Sequence, residues 1–233
     1  MTIRRHKRPT KLWLLEKKNI PLHAMKTIIT LLTFIGAITI NAQTFSIDTI
    51  SDATFQRIYG KSFKHNCNIN RSELRYLQLS YYDKDSTEHT GELICNKHIA
   101  NDLKEIFQEL YRLRYPIERM QLIDDFDADD ERSMQANNTS CFNYRSIAGS
   151  KKLSAHSRGM AVDINPLYNP CVKQRKDGTI SIQPSTARKY ADRSKKWPYQ
   201  ITIDDPCYRL FIKHGFKWGG NWRSTKDYQH FER

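Results

Sequence analysis

The residues that most constrain how this chain folds sit at two distant places. One is Ser154-Ala155-His156-Ser157-Arg158-Gly159-Met160-Ala161-Val162-Asp163, and the other is Asp227-Tyr228-Gln229-His230, close to the last residue, Arg233. Two histidines and a carboxylate are usual donors to a zinc ion that must keep one coordination position open, and a second carboxylate nearby can handle protons. A fold that uses both stretches has to lay the end of the chain against residues 154–163, so the C-terminus is half of a site and not a dispensable tail.

The local pattern supports this reading. His156 and Asp163 are seven positions apart, which puts them on opposite faces of any uninterrupted strand. The chain must therefore bend between them, and Ser157-Arg158-Gly159 supplies the bend because glycine adopts left-handed backbone angles freely. Ala161-Val162-Asp163-Ile164 then resumes as a strand, Asp163 facing the metal while Val162 and Ile164 enter the core. An aspartate amid apolar residues is costly to bury unpaired, and a cation offsets that cost. One His and one Asp on a short segment more often mark a hydrogen-bonded loop. Asp227-x-x-His230 shifts the balance by adding a third ligand and a candidate base.

Ser-x-His-x-x-Gly-x-Ala-x-Asp (Ser154 to Asp163) and Asp-x-x-His-Phe-Glu (Asp227 to Glu232) resemble the motifs of the zinc D-alanyl-D-alanine carboxypeptidases and the related L-alanyl-D-glutamate endopeptidases, of the VanY kind. The similarity extends to Asn143-Tyr144-Arg145, Asp163-Ile164-Asn165-Pro166 and Gly215-Phe216-Lys217-Trp218-Gly219-Gly220-Asn221-Trp222. The resemblance implies that His156, Asp163 and His230 bind one Zn2+ and that Asp227 serves as general base and then acid. It further implies that Arg145 steadies negative charge near the scissile group, where a planar fork of donors suits an oxyanion or a carboxylate. Ser154 is expected to support the ligands or touch substrate, and Trp218 and Trp222 to line the cleft, although core tryptophans are equally ordinary. Glu232 is the rival base, because in a straight strand it shares a face with His230 and Asp227 does not; Asp227 in that role requires an irregular turn before the last ligand.

Around the motifs, an N-terminal basic tail (1–24) precedes Met25-Lys26, an apolar run over 27–40 and Asn41-Ala42-Gln43, which are the parts of a secretory signal over 25–42. The run is short for a membrane span. Export predicts a periplasmic or extracellular location, with no stable membrane partner once the signal is cleaved. Residues 1–42 hold eight Lys/Arg and one Glu, so about +6 of the formal +13 stays with the remainder. That excess suits an anionic wall polymer or acidic peptide, while no Arg/Lys stripe interleaved with aromatics marks a nucleic-acid footprint. Peptidoglycan stem peptides are the expected partner, and a monomer is expected.

The rest is enough for one domain: an N-terminal extension (43–70) and a zinc peptidase domain (71–233). Alternation over Leu74–Tyr82 and a shorter run from Gly91 to Cys95 read as paired strands. Apolar residues at three- and four-residue spacing from Ile99 to Leu113 read as an amphipathic helix. A strand over 117–126, a solvated acidic loop over 124–131, a polar insertion over 173–200 with a hairpin tip at Lys176-Asp177-Gly178, and a helix over 205–214 follow. The class is α+β, with a small antiparallel sheet and helices mainly on one side, as in hedgehog and D-Ala-D-Ala peptidase folds. Cys171 and Cys207 are a candidate disulfide, with buried free thiols as the alternative. Asn138-Thr139-Ser140 is a formal glycosylation acceptor. The competing functional reading is a non-catalytic wall-binding or receptor-like module that keeps the zinc site.

Overall fold

The computed structural model describes residues 43–147, 149–175 and 177–233. The expected basic tail and export signal lie outside the described residues, as does Lys176 at the expected hairpin tip. The fold is α+β and begins with a three-stranded antiparallel sheet, β1 (Phe45–Thr49), β2 (Leu74–Tyr82) and β3 (Glu88–Asn96), in the order β1-β2-β3. Alternation in β2 puts Leu77 and Leu79 on the buried face, and register pairs them with Leu93 and Gly91 of β3. The β2–β3 turn is closed by Asp83, whose Oδ1 accepts from the backbone N–H groups of Asp85 and Thr87, both at 2.9 Å. A side chain that mimics a backbone turn in this way fixes hairpin register locally.

Helix α1 (Asp52–Ile58) connects β1 to the loops before β2. Helix α2 (Ala100–Arg112) buries Leu103, Ile106, Phe107 and Leu110, the periodic set read from the sequence, against Leu77, Leu79, Leu93 and Cys95. The same cluster includes Val162, Ile164, Phe211, Phe216, Trp218 and Phe231, so the N-terminal sheet and the motif-bearing half share one core. Burial of this continuous apolar surface is the main stabilising term. Residues 43–70, read from the sequence as an N-terminal extension, pack onto the rest: β1 pairs with β2, and Ile50 and Ile58 are buried with Leu74, Ile94 and Phe142.

The single small sheet expected from the sequence is instead several. Beyond the first, there is an antiparallel sheet of β6 (Ala161–Asp163), β11 (His230–Glu232) and β9 (Lys217–Trp218), ordered β6-β11-β9. Another comprises β7 (Cys171–Gln174), β8 (Ile180–Gln183) and β10 (Thr225–Asp227), ordered β10-β7-β8. The expected strand over 117–126 shrinks to β4 (Arg119–Met120), which pairs in parallel with β5 (Asn138–Thr139).

The acidic stretch is only partly a solvated loop. Asp124 is buried because its carboxylate accepts from both the backbone N–H and the hydroxyl of Ser62, each at 2.9 Å. Asp129 caps α3 (Asp130–Gln135) by accepting from Arg132 N. The formal glycosylation acceptor is closed off, since Asn138 is fully buried and donates to Gln121 O and Ser133 Oγ. Helix α4 (Pro206–Lys213) starts at an Asp205 cap and is followed by Gly215 at φ +80°, close to the sequence reading.

Candidate metal centre

The first half of the site is built by a single 3-10 turn, Ala155–Arg158, followed directly by β6. The Ser154 hydroxyl caps the turn by accepting from His156 N at 3.3 Å. Gly159 ends it at φ +64°, and a Cβ there would lie 2.7 Å from Asn96 N and 3.0 Å from the Cys95 carbonyl carbon. The turn therefore docks against the end of β3, with Asn96 N donating to Gly159 O at 2.8 Å. Both the backbone angle and the close approach require glycine.

The second half arrives through register. In the antiparallel β6–β11 ladder, His230 stands directly opposite Asp163 and Phe231 opposite Val162. Residues opposite one another share a face, so the ladder that buries Phe231 and Val162 in the core holds Asp163 and His230 together on the other side. Tyr228 and Gln229 form the bend that the Asp-x-x-His spacing requires, since β10 ends at Asp227 and β11 begins at His230 in a different sheet.

Three donors converge. His156 Nε2 lies 3.2 Å from His230 Nδ1 and 3.2 Å from Asp163 Oδ2, and His230 Nδ1 lies 3.0 Å from Asp163 Oδ1. All three residues are buried, with exposures of 2% for His156, 8% for Asp163 and 6% for His230. The outer ring nitrogens are committed elsewhere: His156 Nδ1 is 2.6 Å from Cys141 O, and His230 Nε2 is 3.3 Å from Glu232 Oε2. Both acceptors require an N–H on those outer nitrogens, which leaves His156 Nε2 and His230 Nδ1 as bare lone pairs facing a carboxylate in the neutral rings. Three electron-pair donors this close in a buried place demand a cation or a proton between them. Tetrahedral ligands about 2.0–2.1 Å from a zinc ion stand roughly 3.3–3.4 Å apart, so the spacing fits. An imidazole anchored by a carbonyl or carboxylate on its far side is also the usual outer support of a metal ligand.

Electrostatics at the site point the same way. Burial works against the charged form of Asp163, yet His156 and His230 hold its carboxyl far below the usual carboxylate range. Burial also opposes charge on His230, but Asp163 and Glu232 push it up to about 10. Positive charge is thus favoured where the three donors meet, whether a proton or a metal ion supplies it.

These residues open onto a cleft of ≈ 540 Å³ that Arg145, Ser154, Trp222 and Asp227 also line. Asp227 Oδ1 is buried without a hydrogen-bond partner, and burial, reinforced by Asp163 and opposed by His230, raises its pKa. Gly219 allows the turn over Asp227, for a Cβ there would meet Asp227 O at 2.7 Å and Asp227 Cβ at 2.8 Å. Arg145 is ion-paired through Nε to Asp130, whose other oxygen accepts from Asn143 Nδ2 at 2.9 Å. Trp222 packs its ring 5.2 Å from that of His230.

Two expectations give way. Trp218 is a core residue and not a cleft residue: it is buried, stacks with Phe231 and donates from Nε1 to Tyr228 O. Cys171 and Cys207 are unpaired, because Cys171 lines the cleft beside Asp227 on β10 whereas Cys207 is buried in α4 among core residues. Glu232, weighed above as a base, is bound to His230 as an orienting partner. The carbonyl of Cys141 and the carboxylate of Asp130 were not legible as site groups, since nothing in their local sequence marks a backbone acceptor or the partner of a distant arginine.

A His–Asp–His set whose ligand atoms could hold a metal ion thus lies beside a carboxyl with one unpartnered oxygen in an open cleft, a combination of the kind that metal-dependent hydrolysis uses. Residues 148–233 match the family model described as D-alanyl-D-alanine carboxypeptidase, in agreement with the resemblance carried by the motifs. The matched segment contains His156, Asp163, Asp227 and His230 but not Arg145. No curated protein and no solved structure matches the chain.

Proposed function

We propose that the protein is an exported zinc peptidase that hydrolyses D-Ala-D-Ala or L-Ala-D-Glu type bonds in peptidoglycan stem peptides. The observation that carries this reading is the meeting of three lone-pair donors 3.0–3.2 Å apart next to the unpartnered Asp227 Oδ1. In it, His156 Nε2, Asp163 and His230 Nδ1 hold one Zn2+. When bound, the ion supplies a Lewis acid for the scissile carbonyl and acidifies water.

The rest is the work of the chain. Asp227 takes a proton from the attacking water at its carboxylate and returns it to the leaving amine, and its raised pKa suits a group that must hold a proton between those events. With Nε on Asp130, Arg145 keeps its terminal nitrogens for the developing oxyanion. Ser154 supports His156 through the cap, and Trp222 shapes the cleft against His230. The wall substrate agrees with the secretory pattern of residues 25–42, so the proposed location is periplasmic or extracellular.

The test is to purify the protein, measure its zinc content, and digest muropeptides with and without chelator, reading the products by mass spectrometry. Loss of one terminal D-Ala, or a cut after L-Ala, that chelator abolishes supports the reading. Stoichiometric zinc with no cleavage of any stem peptide overturns it in favour of a non-catalytic module.

A further inference from the structure

Two buried cysteines meet behind the metal centre. Beyond β5 the chain runs along the outer edge of β3, where Phe142 N donates to Ile94 O at 3.0 Å. Ile94 and Phe142 are buried together with Leu74 and Tyr144, whereas Cys95 and Cys141 are buried together with Leu93 and Val162 in the other cluster. Successive side chains on extended backbone point to opposite faces. One step along from the Ile94–Phe142 bond, forward on β3 and backward on its neighbour, therefore brings Cys95 and Cys141 to a shared face. Opposed residues on one face have Cβ atoms about 4.5–5.5 Å apart, closest where no ladder bond joins them. A disulfide asks for about 3.5–4.5 Å, so the closure needed is small.

Both cysteines also abut Gly159: Cys141 Sγ lies 3.7 Å from its carbonyl oxygen, and a Cβ on Gly159 would lie 3.3 Å from Cys95 Cα. The other three are dispersed, with Cys67 packed against the Ile94 cluster, Cys171 on the cleft and Cys207 at the start of α4. The backbone around the pair supports the site. The Cys141 carbonyl anchors His156 Nδ1 at 2.6 Å, and Asn96 N, next to Cys95, anchors Gly159 O at 2.8 Å. A bond between the two sulfurs would tie these anchors together and close the long loop from residue 95 to residue 141.

We propose that Cys95 and Cys141 are joined as a disulfide when the chain folds in an oxidising compartment, fastening the His156 turn to β3. The compartment is taken from the export reading above, and the cross-link is independent of peptide cleavage. The two side chains end up 0% and 3% exposed, so the oxidant reaches them before the core closes. One cysteine thiolate attacks the disulfide of a thiol–disulfide oxidoreductase or of oxidised glutathione, forming a mixed disulfide and releasing one thiol. The second thiolate attacks the first cysteine's sulfur, the new bond closes, and a second thiol leaves. The two electrons and two protons given up by the cysteines thus end on the oxidant's two sulfurs.

The test folds the full chain in a buffer of oxidised and reduced glutathione, alkylates the remaining thiols after denaturation, and reads tryptic peptides by mass spectrometry without reduction. Peptides 85–97 and 133–145 each hold one cysteine and should appear joined, with Cys67, Cys171 and Cys207 alkylated. Alkylation of Cys95 and Cys141, or a cross-link through any other cysteine, overturns the proposal. Thermal melting gives a second measurement. The oxidised wild type should melt about 5–10 °C above the same protein folded with reductant, and the gap should vanish in Cys95→Ala and in Cys141→Ala. Equal midpoints in the two redox states of the wild type, or a gap that persists in Cys141→Ala, counts against the cross-link. Neither measurement uses turnover, so a joined peptide pair in a protein that cleaves no stem peptide upholds the disulfide and sinks only the peptidase.

Discussion

Both histidines of the triad are held from behind as well as from the front. His156 is fixed through Cys141 O, and His230 through Glu232 Oε2. These contacts set which ring nitrogen carries hydrogen and so which one is free to bind a cation. Asp227 differs, because nothing fills its Oδ1 and it belongs to another sheet. Replacing His230 with Ala should therefore abolish zinc binding, whereas Asp227→Asn should keep stoichiometric zinc and lose about 10²–10⁴-fold in turnover. Glu232→Gln should fall between, weakening metal affinity by about 10–100-fold. Zinc stoichiometry by atomic spectroscopy, paired with turnover of a stem peptide, distinguishes the three. A zinc-loaded Asp227→Asn protein with normal turnover would remove Asp227 from the acid–base role.

At the scale of elements, the site depends on how tightly the 155–158 turn seats on β3. Gly159→Ala forces a side chain into a left-handed position and against the backbone of Cys95 and Asn96. It should cost roughly 1–3 kcal/mol and loosen His156, lowering both the thermal midpoint and zinc occupancy; a variant with unchanged midpoint and occupancy would show that the turn tolerates the shift. The same elements show what a sequence discloses. The β2–β3 hairpin and α2 are legible because their periodicity is local, and the bend at Gly159 because only one residue type fits it. The acidic stretch misleads because Asp124 finds its partner in Ser62, a long-range contact that makes a buried acid look like a solvated one. Trp218 misleads for the opposite reason, since aromatic residues near a motif serve core and cleft alike. That β7 pairs with β10 is not legible in the sequence, because the pairing joins residues about fifty positions apart.

At the scale of the whole molecule, the last strand is both the closing half of the site and a central part of the core. β11 lies between β6 and β9, and Phe231 is fully buried and stacked 4.2 Å from Phe211. The chain end is tied down further: Arg233 donates to His214 O and His98 O, and its guanidinium pairs with Asp102 on α2 at 2.8 Å. His214 Nδ1 lies 3.0 Å from the same carboxylate. Burial tends to raise the pKa of Asp102, but the contacts with His214 and Arg233 prevail and hold it below the ordinary value. A carboxyl depressed in the folded state contributes stability above its unfolded pKa of about 3.9, and that contribution is lost as pH falls through the lower folded value. The pair is partly exposed, so solvent screening limits it to about 0.5–1 kcal/mol. Asp102→Asn should therefore lower stability by that amount at pH 7 and by progressively less below pH 4, as the wild-type carboxylate itself becomes protonated. Urea unfolding of both proteins across that range is the measurement. A gap that stays constant with pH would mean that Asp102 acts through shape and neutral hydrogen bonds, and that the C-terminus is held to α2 without help from charge.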